Sequence, residues 1–250
     1  MAPLLASVPT VAAPLALPLR RSSWPSQVAV CLAAYLAYGA TRWLVISDRG
    51  VAVGHARAIE RLERGLGIAV EAPVQRTFEG TPIMWLLGHA YIAAQVVVVP
   101  AVLIWLYRVN RTIYVRLRDT VLATWILAVP IFWLFPVAPP RLSGIGVVDT
   151  VSNGTGIALN SRFATSFYNP LAAVPSLHCG FALAVSAALA CASRHWWSRA
   201  LAAAWTPVIV VAVVATGNHF IFDVVAGLAA TVAGYVAGAA VRTRRSIARS

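Results

Sequence analysis

The sequence predicts an all-α, polytopic membrane protein: a bundle of six transmembrane helices, with an amphipathic interfacial helix between the first and second spans. Three observations carry this. The chain is 60% apolar and only 11% charged, against roughly a quarter charged in soluble domains. Its apolar runs have lengths near the roughly 20 residues that cross a hydrocarbon core. Its 20 basic residues are all arginines, gathered mostly between the apolar runs, where positive charge orients a protein in the bilayer.

Taken in order, Met1 to Leu19 is rich in Pro, Ala and Leu, and Arg20-Arg21 follows the apolar run instead of preceding it. That order is wrong for a signal peptide, so residues 1–25 read as a disordered arm. Val28 to Ile46 forms the first span, with Arg42 snorkelling to an interface. Asp48 to Phe78 mixes Arg57, Glu60, Arg61, Glu63 and Arg64 with Ile59, Leu62, Leu66 and Ile68 at helical spacing. This is an amphipathic helix lying on a membrane surface. Ile83 to Tyr107 is the second span, and a loop with Arg108, Arg111, Arg116 and Arg118 precedes the third, Val121 to Val137. Ala138 to Pro170 has the Pro, Gly, Ser and Asn content of an ordered loop. Leu171 to Ala192, Ala200 to Ala215 (with Pro207) and Phe220 to Val241 complete the set, and the tail carries Arg242, Arg244, Arg245 and Arg249.

With the amino terminus in the cytoplasm, Arg20/Arg21, the four-arginine loop, Arg194/Arg199 and the tail all fall inside. The 138–170 loop and the entrances to the fourth and sixth spans then share the outer face. The missing lysines and abundant alanine suggest a high-GC genome, and we read the location as a bacterial plasma membrane. The basic excess is explained by bilayer orientation and anionic headgroups, with no nucleic-acid partner. Cys31, Cys179 and Cys191 are scattered in apolar stretches, as small buried hydrophobes would be.

Chemistry concentrates in Thr216-Gly-Asn-His-Phe-Ile-Phe-Asp-Val-Val-Ala-Gly227. Between Phe220 and Val241 the only acidic or basic side chain is Asp223, and a charge retained in hydrocarbon faces a polar cavity or has a partner. His219 is that partner: at i and i+4 of a helix, Asp223 accepts from one ring nitrogen and leaves the other nucleophilic. At the entrance to the fourth span, Val174-Pro-Ser-Leu-His-Cys-Gly180 places Pro175 in the first helical turn, with Ser176 and His178 just inside. A helix N-terminus favours an anion, and Pro139-Pro140-Arg141 holds a guanidinium on the same face. Together these make an anion site, and a lipid phosphate is the commonest anion there.

Alternatives stand beside these readings. Arg141 is either a phosphate contact or an interfacial anchor, Ser176 a phosphate contact or a helix cap, and Asn218 a tuning residue or a cap. His89, His55 and His195 are read as structural or interfacial. A non-enzymatic reading makes the protein a transporter or a haem- or metal-binding protein using the intramembrane histidines. No third ligand accompanies them, no internal repeat is present, and Arg141 would repel a cation. We therefore expect no cofactor and no metal.

Pro175-Ser176-x-His178 and His219-x3-Asp223-x3-Gly227 resemble the second and third motifs of the type 2 phosphatidic acid phosphatase superfamily. Pro139-Pro140-Arg141, Val174-Pro-Ser-Leu-His178 and Thr216-Gly-Asn-His219 look most like its inositol phosphorylceramide synthase-like branch, the inositolphosphotransferases. The resemblance covers roughly residues 83–241, read as the catalytic core between the 26–82 unit (first span and amphipathic helix) and the basic cytoplasmic tail 242–250. It implies a six-helix bundle, an extracytoplasmic site, and metal-independent lipid phosphotransfer or phosphohydrolysis on a phosphate or phosphodiester headgroup, with water or an alcohol as acceptor. His219 would be the nucleophile forming a phosphohistidine, Asp223 its orienting partner and His178 the general acid. Arg141 and Ser176 would hold the phosphoryl oxygens. Where the phosphatase branch has a lysine and an arginine, this chain has Leu134 and Val213. A phosphodiester carries less charge than a phosphomonoester, so these losses favour headgroup transfer or phosphodiester cleavage. Arg162 is the candidate to replace one of them.

Overall fold

A computed structural model describes residues 23–30, 32–33, 36, 48–155, 159 and 169–247. Most of the expected first span, the arm over residues 1–22, and Arg162 lie outside the described residues. Every regular element within them is a helix, and the one β-like pairing there is a bridge between Val137 and Ala172.

The expected single amphipathic helix is two helices, α1 (Arg49–Gly65) and α2 (Glu71–Phe78). Gly67, in the left-handed region at φ 70°, ends the first, donating to Arg64 O while Ile68 N–H returns to Glu63 O. Ala52, Ala56, Ile59 and Glu63 form one buried stripe of α1. Its apolar members pack on protein, in a cluster with Val137, Ala138, Ala173, Val174 and Phe220, and leave Leu62, Leu66 and Ile68 exposed.

Among the described residues, four helices are long and apolar enough to cross a membrane: Pro82–Val109, Arg111–Leu134, Trp196–Ala215 and Ile221–Arg244. The first comprises α3 (Pro82–Ala93), a π-helical turn (Ala94–Val98) and α4 (Val99–Val109). Pro100 has no N–H for the preceding turn and its ring crowds that turn, which the π segment accommodates. In α5 (Arg111–Leu134), Asn110 Oδ1 accepts from Ile113 N–H at 3.1 Å. This cap starts the helix ten residues before the expected third span, so Arg111, Arg116 and Arg118 are helical, not loop. The expected outer loop holds a 3-10 turn (Pro140–Leu142) and a short α6 (Thr150–Gly154).

Helix α7 (Leu177–Ala192) has 16 residues, about 24 Å at 1.5 Å per residue, short of the predicted fourth span because Leu171–Ser176 is not helical. It packs against α5, α8 (Trp196–Ala215) and α9 (Ile221–Ile247), and nine of its 16 residues are buried. Cys179 is buried within it, whereas Cys191, at its far end, is exposed and not the buried hydrophobe expected. At the α7–α9 crossing, Gly227 meets the Ser176 backbone so closely that a Cβ would collide with the Ser176 carbonyl oxygen. Small residues at such contacts let membrane helices approach to backbone distance.

Candidate active site

The segment carrying His219 is shaped by how α8 ends. Gly217 N–H donates to Val214 O at 3.0 Å and Asn218 N–H to Val213 O at 2.9 Å, with Gly217 at φ 68°. This pairing closes a helix with a left-handed glycine. It turns Asn218 and His219 back under the end of the bundle where α9 begins.

His219 stands before the first residue of α9, not on the helix as the spacing suggested. Its Nδ1 nevertheless lies 3.2 Å from Asp223 Oδ2, because Asp223 reaches back to accept from Phe220 N–H at 2.9 Å. An oxygen that accepts from that amide is an acceptor toward the ring too, so the ring proton sits on Nδ1. Burial, and behind it the Arg141 charge, pushes the imidazole below its ordinary range, so His219 is neutral at neutral pH.

His178 comes from the second position of α7, and its ring centroid lies 5.9 Å from that of His219. Tyr91 of α3 stacks against the His178 ring, centroids 4.2 Å apart. Ser176 is the N-cap of α7, its Oγ accepting from Cys179 N–H at 3.4 Å. Pro175 precedes the cap instead of occupying the first turn, since Ser176 is still extended.

Arg141 sits on the 3-10 turn, which is fastened to the His219 segment by Arg141 N–H to Gly217 O at 3.0 Å. Its Nε donates to Asn218 Oδ1 at 2.9 Å and its Nη1 to Asp149 Oδ2 at 3.1 Å, with the side chain only 1% exposed. Asp149 is itself fixed by Ser152, whose N–H and hydroxyl donate to its two oxygens at 2.9 and 2.8 Å. The guanidinium therefore enters the site already oriented.

Four of the predicted residues, His219, Asp223, His178 and Ser176, converge where α7 and α9 begin, and Arg141 borders them. Leu134 is 72% exposed, and Val213 is buried in an apolar cluster, so neither position offers a cation. Tyr91, Asp149 and the Glu63–Glu71 pair beneath α9 also border the site, and none of them is a site residue predicted from the sequence. Glu63 had a signal, since it continues the buried stripe of Ala52, Ala56 and Ile59. Among the described residues no three His, Cys, Asp or Glu side chains are arranged to hold a metal ion. His89 bonds within its own helix (Nδ1 to Trp85 O, 2.8 Å), and His55 docks α1 on the Pro136 carbonyl at 2.7 Å.

Two histidines, a carboxylate and an arginine gathered at one end of a helical membrane bundle make a candidate anion site. The model of the PAP2 superfamily matches residues 57–237, a stretch that contains every described site residue. The chain belongs to the PAP2 superfamily. Its members are generally phosphatases and phosphotransferases, which supports an enzyme of that type and suggests a lipid phosphate as substrate. Neither a curated protein nor a solved structure matches the chain.

Proposed function

We propose that the protein is an integral-membrane lipid phosphotransferase or phosphatase working through a phosphohistidine on His219, in the inositolphosphotransferase-like branch of its superfamily. The observation that carries this is the 5.9 Å separation of the His178 and His219 rings, close enough for both to reach one phosphoryl group. His219 Nε2 attacks phosphorus while Nδ1–H stays on Asp223, and the bond from phosphorus to the lipid oxygen breaks. His178 supplies that oxygen with its proton. In the second step water or an alcohol gives its proton to His178 as its oxygen bonds phosphorus and the P–N bond breaks, restoring His219. Arg141, Ser176 and the first amides of α7 stabilise charge on the equatorial oxygens, without a metal ion.

The absence of cations at positions 134 and 213 supports a phosphodiester headgroup over a phosphomonoester, with Arg162 the candidate to supply a further charge. The site faces the extracytoplasmic side of a bacterial plasma membrane, as the arginine distribution supports. The full chain has six spans, with residues 28–46 as the first and the short α7 as the fourth, and with α1 and α2 at the outer interface. It divides into the arm 1–25, the 26–82 unit, the catalytic core 83–241 and the tail 242–250. The test offers purified protein a panel of polyprenyl and glycerolipid phosphates and diesters, following phosphate release against headgroup transfer. Wild-type turnover with none from His219→Ala is expected; full activity in that variant would sink the mechanism.

A further inference from the structure

The first amides of α9 meet three carboxylates from three different helices. Phe220 N–H donates to Asp223 Oδ2 (2.9 Å), Ile221 N–H to Glu71 Oε1 (3.0 Å) and Phe222 N–H to Glu63 Oε1 (2.6 Å). Unpaired amides at a helix start are ordinarily met by one local cap. Here two of the acceptors come from α2 and α1, 150 and 159 residues away in sequence. Glu63 is 1% exposed and Glu71 3%.

The two glutamates accept from the adjacent amides of Ile221 and Phe222, which brings their carboxyl groups side by side, while Glu63 Oε2 is buried with no hydrogen-bond partner among the described residues. Two ionised carboxylates have only acceptors, so such a contact requires a proton on one of them. Among the described residues no cation relieves the crowding: the charged groups acting on Glu63 are Glu71 from α2 and Asp223 from α9. One proton between the glutamates supplies the missing donor and removes one of the buried charges.

We propose that Glu63 and Glu71 hold a single proton between them, and that this protonated pair positions the first turn of α9 so that Asp223 aligns with His219. They are positioning residues for the reaction above, and the inference rests on that reading. Burial, with the Glu71 charge adding to it, pushes Glu63 up to about 8, so the proton is held at neutral pH. Its loss sets two anions side by side directly beneath the dyad and loosens the turn that carries it.

The test uses the full-length protein in detergent or vesicles. An infrared pH titration without substrate should show the carbonyl band of a buried protonated carboxyl disappearing near pH 8, and Glu63→Gln should lack that band. The amide of Glu63→Gln keeps an acceptor for Phe222 N–H and places a permanent donor toward Glu71. Glu63→Ala should therefore lose tenfold or more in kcat with KM little changed. Glu63→Gln should restore most of that loss and extend activity to higher pH than wild type. A band and an alkaline limb unchanged in Glu63→Gln, or a Glu63→Gln loss as deep as that of Glu63→Ala, would overturn the proposal. Retained turnover in His219→Ala would instead refute the catalytic reading, and the infrared band would still decide the pair.

Discussion

The Ser176 N–H donates to the backbone carbonyl of Asp223 across 3.0 Å, so the entrance of α7 is bonded to the turn of α9 that carries the site carboxylate. One turn further along α9, Gly227 rests against the Ser176 carbonyl. These two backbone contacts set how near His178 comes to His219. They also give the Asp223-x3-Gly227 spacing a physical reason: four residues place the carboxylate and the contact glycine on the same face.

Gly227→Ala should therefore cost about 1–3 kcal/mol or more, because the added methyl overlaps backbone that cannot move aside without separating the helices. Thermal unfolding in detergent should show a lowered midpoint, accompanied by lost turnover. Gly54, on α1 with open space around its Cβ position, is the control. Gly54→Ala should raise stability by about 0.5–1 kcal/mol.

Incubation with labelled phospholipid should leave acid-labile, alkali-stable phosphate on the wild-type protein and none on His219→Ala. His178→Ala should lower turnover by about 10²–10⁴-fold, the range for a lost general acid or base. Label appearing equally on His219→Ala would place the covalent step elsewhere.

Arg141 makes its contacts through the planar fork of its guanidinium, to Asn218 and to Asp149. An ammonium cannot reproduce both geometries. Arg141→Lys should therefore recover little of the activity lost in Arg141→Ala, and Asn218→Ala should raise KM about tenfold, the equivalent of one charged hydrogen bond of roughly 1.5 kcal/mol. Steady-state kinetics on the same lipid decide this; a fully active Arg141→Lys would show that charge alone suffices.

Glu63 also links stability to pH. Its folded-state value near 8 lies above its ordinary 4.5, so the folded protein binds the proton more tightly than the unfolded chain. That contribution is complete below about pH 4.5 and is lost as pH rises through 8. The unfolding midpoint should decline across this window in the wild type and decline less in Glu63→Gln, measured by the same thermal scans.

The helices were legible because they are local and the bilayer is an exacting solvent: apolar runs near 20 residues and arginines between them need no knowledge of neighbours. Boundaries slipped where a cap or a turn decided them, as at Asn110, which starts α5 early, and at Gly67, which cuts the amphipathic stretch in two. His219 and Asp223 could be paired from spacing alone, although the ring hangs from the turn ahead of α9 and not from the helix itself.

By itself the amino-acid order settled that the chain is helical, lives in a membrane, and carries one acidic side chain in an otherwise uncharged last span, since each follows from composition and short-range periodicity. Only the tertiary structure decided that Tyr91 backs His178, that Asn218 and Asp149 hold Arg141, and that Glu63 and Glu71 cap a helix some 150 residues away. Such contacts depend on which helices pack together, and no local pattern of side chains encodes that choice.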